Sequence, residues 1–259
     1  MVRFAALDVS LETTAICVVD EDGRITAEGK VRTCPEAIRG FLAAKAPELR
    51  RVGLETGPLA VWLWNELRER QLPVVCLDAR HANAALKVRP AKTDRNDAAG
   101  LARIVRTGWY KEVRIKTRAS YEVRALLSAR DVLVSTRVRL EAQVRGLLRT
   151  FGVLFGKQVG GFARRAREIL SGELAAAPAL RDLVETLTEA RADVAERIAA
   201  LDRMVLAAAK ADPTARLFMA APGVGVLTAL SVASAFDDPR RFRGSRSAGA
   251  YLGLTPRRY

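Results

Sequence analysis

At 259 residues, 49% of them hydrophobic, the chain is long enough for one large or two modest domains with true cores. A net charge of +14 with one His and three Cys argues against a zinc centre or a disulfide framework and towards a polyanionic partner. No run of eighteen uninterrupted apolar residues is present to span a membrane, Met1 to Asp8 lacks the apolar core of a secretory leader, and isolated Cys17, Cys34 and Cys76 fit a reduced, cytoplasmic protein.

In chain order, Val2 to Asp8, Thr14 to Asp20 and Arg24 to Thr33 predict three strands, the last two joined by a turn at Asp22-Gly23. Pro35 opens a helix to about Lys45. Arg50 to Glu55 predicts a fourth strand, Pro58 to Arg70 a helix and Pro73 to Leu77 a fifth strand. A three-strand meander followed by alternating helix and strand fits an α/β domain of the kind whose first strand is central. Asp8 and Glu55 would then lie side by side at strand ends. The stretch Asp94 to Thr107 predicts a helix, and the three-residue spacing of Asp94 and Asp97 puts both on one face. Four carboxylates so placed are hard oxygen donors suited to magnesium or manganese, with room for water and phosphate oxygens. Lys92 and Arg95 flank the Asp pair and are placed to meet a phosphate or to offset the repulsion of the carboxylates. His81 follows the fifth strand and is read as a turn or surface residue. Trp62, Trp64 and Trp109 are candidates to stack on bases, with Trp62 and Trp64 read rather as dividing between core and partner surface.

From about Ser120 the pattern turns to long helix. Leu126, Leu133, Leu140 and Leu147 recur every seven residues, with Val123, Val144 and Phe151 on the neighbouring seam. After a glycine-punctuated stretch, Leu180, Leu187, Val194 and Leu201 form a second heptad, with Val184, Ile198 and Val205 in the other register. The pattern predicts a helical hairpin or coiled-coil oligomer contacts, against a plain helical bundle packed on its own domain. Arg130 and Arg137 occupy seam positions where apolar residues are expected. Residues 101–170 hold 16 Lys or Arg against 5 acids. That excess, mostly Arg, makes Arg137, Arg139, Arg145 and Arg149 candidate phosphate contacts. The last segment predicts helix, turn, helix around Pro222-Gly223-Val224-Gly225, similar to a helix-hairpin-helix. Gly223 and Gly225 would free backbone N–H groups for a nucleic-acid phosphate.

These residues carry a resemblance. Asp, Glu, then Asp-x-x-Asp within D-V-S, L-E-T-G and K-T-D-x-x-D-A resembles the DEDD-type insertion-sequence transposases. A-P-G-V-G-V-L-T-A from Ala221 and A-G-A-Y-L-G-L-T-P from Ala248 resemble their second conserved domain. The resemblance implies a ribonuclease H-like (RuvC-like) catalytic domain over 1–118, a coiled-coil-like helical linker over 119–210 and a partial C-terminal transposase domain over 211–259. It implies magnesium held by Asp8, Glu55, Asp94 and Asp97, DNA as substrate, a structured guide RNA, and a homo-oligomer working in a bacterial or archaeal cytoplasm. In those transposases a Ser-Gly pair closely follows the G-L-T-P run and supplies the nucleophile. Here Arg257, Arg258 and Tyr259 follow Pro256, so a truncated transposase without that serine is the expectation. The rivals are a metal-dependent nuclease or junction resolvase using the same acids, and a catalytically inactive nucleic-acid-binding relic. A sugar-kinase or actin-like ATPase ranks last, because no second Gly-rich phosphate loop is visible.

Overall fold

Short runs of β-branched and small apolar residues, punctuated by Asp22-Gly23 and by Pro35, Pro58 and Pro73, build one mixed sheet. The computed structural model describes residues 1–86, 94–155, 161–174 and 177–255. It divides into two units, Met1–Ile115 and Lys116–Tyr259.

In the first unit, β1 (Arg3–Val9), β2 (Thr13–Val19), β3 (Ile25–Arg32), β4 (Leu49–Glu55) and β5 (Val74–Leu77) stand in the order β3-β2-β1-β4-β5. The β1–β2 and β2–β3 pairs are antiparallel, and the β1–β4 and β4–β5 pairs are parallel. The central β1 buries Phe4 to Leu7, and β2 buries Thr14 to Val19, so both strands are covered on both faces. On one face lie α1 (Pro35–Lys45), whose Phe41 ring fills the space left by Gly29, and α2 (Ala60–Glu69). The helix α2 begins two residues later than Pro58, because Gly57 to Ala60 form a turn closed by the Ala60 N–H on the Gly57 carbonyl.

The opposite face carries α4 (Asp94–Thr107). Ala98, Ala99, Leu101, Ala102 and Val105 pack there against Phe4, Ala6, Ala15, Cys17 and Val19. Small side chains on both partners let helix and sheet approach closely. The approach is tightest at Gly53, where a Cβ would stand 2.3 Å from Val105 Cγ2 and 2.8 Å from Leu77 Cδ1. The far end of α4 is tied to the β2–β3 turn, since Arg106 Nη1 donates to the Glu21 carbonyl at 2.7 Å. Between β5 and α4 lies α3 (Ala79–Leu86), which is not among the elements predicted from the sequence. It is capped by Asp78, whose Oδ1 accepts from Arg80 N at 2.9 Å and His81 N at 3.2 Å.

In the second unit, α5 (Arg118–Thr150) and α7 (Pro178–Ala211), 33 and 34 residues, lie against each other over about 50 Å. Between them come α6 (Phe162–Glu168) and a π-helical turn, Ile169–Glu173. The end of α5 meets the start of α7 through Val144, Leu148, Leu180 and Val184, while Val205 and Ala209 meet Val123 and Leu126 at the other end. The two helices are therefore antiparallel, as a hairpin. Val184, Ile198 and Val205 are buried in register, and the position between the first two is Arg191. Arg191 Nε and Nη2 both donate to Glu141 Oε1 at 3.0 Å. Arg130 pairs with Asp202. Arg130 and Arg191 are thus satisfied across the hairpin, whereas Arg137 meets Glu141 of its own helix at 3.9 Å. Phe151, expected on the seam, is 62% exposed, because α5 stops at Thr150 and Phe151 caps it.

The unit closes with α8 (Pro213–Met219), α9 (Val226–Phe236), a 3₁₀ turn at Pro239–Arg241 and α10 (Ser245–Tyr251). The end of α9 and the start of α5 cap one another. Lys116 Nζ donates to the Ser234 and Ala235 carbonyls at 3.2 and 2.7 Å. Asp237, held at φ +62°, accepts from Thr117 N at 3.2 Å and from Ser120 Oγ at 2.7 Å.

The notch at Gly53 makes a specific demand. Gly53→Ala should cost about 1–3 kcal/mol through overpacking. Gly40→Ala, in an exposed turn of α1 with nothing near the added methyl, should instead gain about 0.5–1 kcal/mol. Thermal melting of the two variants checks this, and equal shifts would contradict a close α4–sheet contact.

Candidate active site and basic surfaces

The register of β1 with β4 pairs Leu7 with Leu54, so Asp8 and Glu55 follow as neighbours at the ends of two parallel strands. Side chains alternate along a strand. Asp8 therefore shares a face with Ala6, and Glu55 with Gly53, which is the face that α4 covers. Both open on a cleft of about 640 Å³ whose walls include Ser10, Glu12, Thr56 and Gly57. The loop after Glu55 is anchored to β5 and α3. Thr56 N donates to the Leu77 carbonyl at 2.9 Å, and Thr56 Oγ1 accepts from Ala79 N at 3.1 Å. The turn after Asp8 is tied down by Thr33 Oγ1, which donates to the Ser10 carbonyl at 2.8 Å.

The helix α4 runs against β1, with Arg106 beyond the start of that strand and Asp94 at the opposite end. Ala98 packs with Ala15, and Ala15 is the register partner of Asp8. Asp97, half-buried, and Asp94, one turn earlier, lie in the part of α4 before Ala98, but Asp97 does not join Asp8 and Glu55 in one cluster of three carboxylates. Lys92, and the side chains of Asp94 and Arg95, lie outside the described residues. Among the described residues no three His, Cys, Asp or Glu side chains come together as a metal cage. The donor chemistry nevertheless fits a hard divalent cation. Asp8 and Glu55 are carboxylates on adjacent strand ends, and like charges so placed disfavour each other without a counter-charge.

Other reactive groups at this end are structural. Burial pushes the Cys76 thiol up to about 11, which leaves it protonated and inert. His81 stands edge-on to Trp109 with ring centroids 5.5 Å apart. The N–H of His81, and less strongly that of Arg80, hold the Asp78 carboxyl below the usual carboxylate range. Trp64 is covered by Arg68 at 5.6 Å, while Trp62 and Trp109 are exposed.

The four arginines singled out on α5 divide. Arg137 and Arg145 turn towards Glu141, at 3.9 and 3.8 Å, and Arg145 also lies over the Phe155 and Phe162 rings at 5.4 and 5.2 Å. Arg139 and Arg149 face solvent. In the turn between α8 and α9, Gly223 takes φ +82°, a left-handed value that favours glycine, and Val224 N closes the turn on the Ala221 carbonyl at 3.1 Å. Gly225, extended and exposed, heads α9. A further cluster escaped the sequence patterns. Arg241 lies 4.4 Å from the Phe242 ring centroid and 4.3 Å from that of Tyr251. Its only signal in the chain was the alternation of arginine and aromatic residues after Pro239.

Residues 5–152 match the DEDD domain profile of IS110-type transposases, and residues 215–259 match a profile described as transposase of the IS116/IS110/IS902 family. The transposase for insertion sequence element IS1111A of Coxiella burnetii is 27% identical over 261 residues, covering 100% of this chain and 70% of that protein. A probable family 20 transposase of Pseudomonas aeruginosa is 27% identical over 256 residues, covering 98% of this chain and 74% of its own length. The transposase for insertion sequence element IS1328 of Yersinia enterocolitica is 28% identical over 172 residues, which is 66% of this chain and 51% of that protein. With more than half of its length inside the first profile and the second following in order, the chain belongs to the IS110 family of insertion-sequence transposases.

Proposed function

We propose that this chain supplies the magnesium- or manganese-dependent part of a transposase's DNA strand cleavage and exchange, centred on Asp8, Glu55, Asp94 and Asp97, the attacking serine belonging to the segment that follows the G-L-T-P run in the family. Residues 1–118 would be the RuvC-like catalytic domain, 119–210 a helical linker and 211–259 a C-terminal transposase segment. The observation that carries this reading is the register of β1 and β4, which sets Asp8 beside Glu55 on the face that α4 covers. A divalent cation bound there supplies Lewis acidity at the scissile phosphate. Asp8 and Glu55 hold the site at the rigid end of the central strands. Asp94 and Asp97 close it from the helix, and the Thr56 hydrogen bonds keep the Glu55 loop from drifting. Lys92 and Arg95 are proposed to meet the same strand as it enters.

Nucleic acid is proposed to lie along exposed Arg139 and Arg149 of α5 and against the Gly223–Gly225 turn. Arg137 and Arg145 act there through Glu141, by fixing the hairpin that presents the other two. The partners proposed are DNA, a structured guide RNA and further copies of this chain, in the cytoplasm of a bacterium or archaeon. Among the described residues no helix is long and apolar enough to cross a membrane.

If metal binds the folded site, saturating magnesium at about a hundredfold over its Kd should stabilise the protein by about 2.7 kcal/mol, a melting shift of roughly 5–10 °C. Asp8→Asn and Glu55→Gln should lose most of that shift. An unshifted wild type, or an undiminished shift in both variants, would overturn the site. Nucleic-acid binding should weaken linearly on a log scale with salt, and Arg139→Ala with Arg149→Ala should reduce that slope by about two without lowering the melting temperature. Glu141→Ala should do the reverse, lowering the melting temperature and leaving the slope alone. A slope untouched by the arginine pair would place the polymer elsewhere.

A further inference from the structure

The aromatic residues that close the second unit are arranged unlike a core. Phe236, Phe242 and Tyr251 meet edge to face or tilted, with centroids 5.3 to 6.5 Å apart. The Arg241 guanidinium lies against two of the rings, and its Nε and Nη2 are buried without a hydrogen-bond acceptor among the described residues. No carboxylate therefore meets those two nitrogens, and the rings hold the group in place. Lys116 Nζ sits 5.8 Å from the Tyr251 centroid while it caps α9. Burial works to raise the Tyr251 phenol, but hydrogen bonds from Arg241 and Lys116 and their charges outweigh it and leave the group below its ordinary range. Tyr251 nonetheless remains 47% exposed. Arg243 and Arg246, close by in the chain, are exposed, and Arg240 is paired with Asp238 at 3.0 Å.

A ring that only anchored α10 would be covered. A half-open ring, stiffened by a cation and with further arginines close by in the chain, has the composition that binds single-stranded nucleic acid. The π-face takes a base and the guanidinium groups take the flanking phosphates. Paired bases cannot use such a face, because their own neighbours in the stack cover it. We propose that Tyr251, braced by Arg241 and Phe242, is a stacking platform for an unpaired nucleotide of single-stranded DNA. This rests on the nucleic-acid reading given above and assigns one strand state to one surface. Strand cleavage and exchange require DNA that is locally unpaired, and a transposase needs a place to hold it.

The test uses the whole chain and fluorescence anisotropy with three probes of equal length: single-stranded DNA, single-stranded RNA of the same sequence, and duplex DNA. Tyr251→Ala should weaken single-stranded DNA binding by about tenfold, with the salt slope and duplex affinity unchanged. Tyr251→Phe should stay within about twofold of wild type, because the ring is kept. In the unmodified protein, a 5-iodouracil-substituted DNA strand should photo-crosslink to Tyr251, a readout that needs no variant to fold. Equal losses for single strand and duplex, a Tyr251→Phe variant as weak as Tyr251→Ala, or no adduct at Tyr251 would overturn the platform. A Tyr251-dependent preference for RNA would overturn its assignment to DNA. Failure of the wild type to bind any of the three probes would overturn the nucleic-acid reading itself.

Discussion

The close seat of α4 on the middle of the sheet is the contact on which the site geometry depends. Ala98, Ala99 and Ala102 face Ala6 and Ala15, and Val105 enters the space that Gly53 leaves by having no side chain. Larger residues on either surface would lift the helix, and its first turn would move away from the ends of β1 and β4. The same contact fixes direction, because Arg103 and Arg106 hold the other end of α4 to the β2–β3 turn. A packing constraint without polar chemistry of its own thus sets the line along which α4 crosses the sheet.

The second unit meets a different constraint, that of aligning two helices of more than thirty residues each. Apolar heptads alone tolerate slippage by a repeat. Here the seam contains Arg191 at a position whose heptad neighbours Val184 and Ile198 are buried, and Glu141 of α5 receives both of its N–H donors. Desolvating such a pair costs free energy that hydrophobic residues would not have cost. A slipped hairpin, however, would strand Glu141 among arginines of its own helix and leave Arg191 without an acceptor. Specificity of register is the return, and Arg130 with Asp202 repeats the device further along.

Much of the first unit was legible in the chain because its signals are local. Pro35 and Lys45 bound α1 as the sequence suggests, and Asp94 and Thr107 bound α4. The neighbourhood of Asp8 and Glu55 was expected from the resemblance to a ribonuclease H-like sheet, whose first strand is central, and the order β3-β2-β1-β4-β5 agrees with it. The helix α3 was missed although Asp78 is a good N-cap, because it is only eight residues long and most of its apolar residues are alanines. On α5, counting charge treated Arg137, Arg139, Arg145 and Arg149 as alike. What separates them is Glu141 on their own helix and Phe162 beyond it, and a tally of charge along the chain does not register which face each side chain takes. The mutual caps of Lys116 and Asp237 join residues about 120 positions apart, and the cluster at Tyr251 does the same. Contacts of that range leave no pattern in one sequence.

The central claim is that strand ends and helix start form one cation site, and replacing magnesium by Fe²⁺ tests it most directly. With ascorbate and peroxide, bound iron generates hydroxyl radicals that cut the backbone close to the metal. The account predicts cuts near Asp8, near Glu55 and within Asp94 to Asp97, all lost together in Asp8→Asn. Cuts confined to one of the three segments, or cuts that persist in Asp8→Asn, would contradict it.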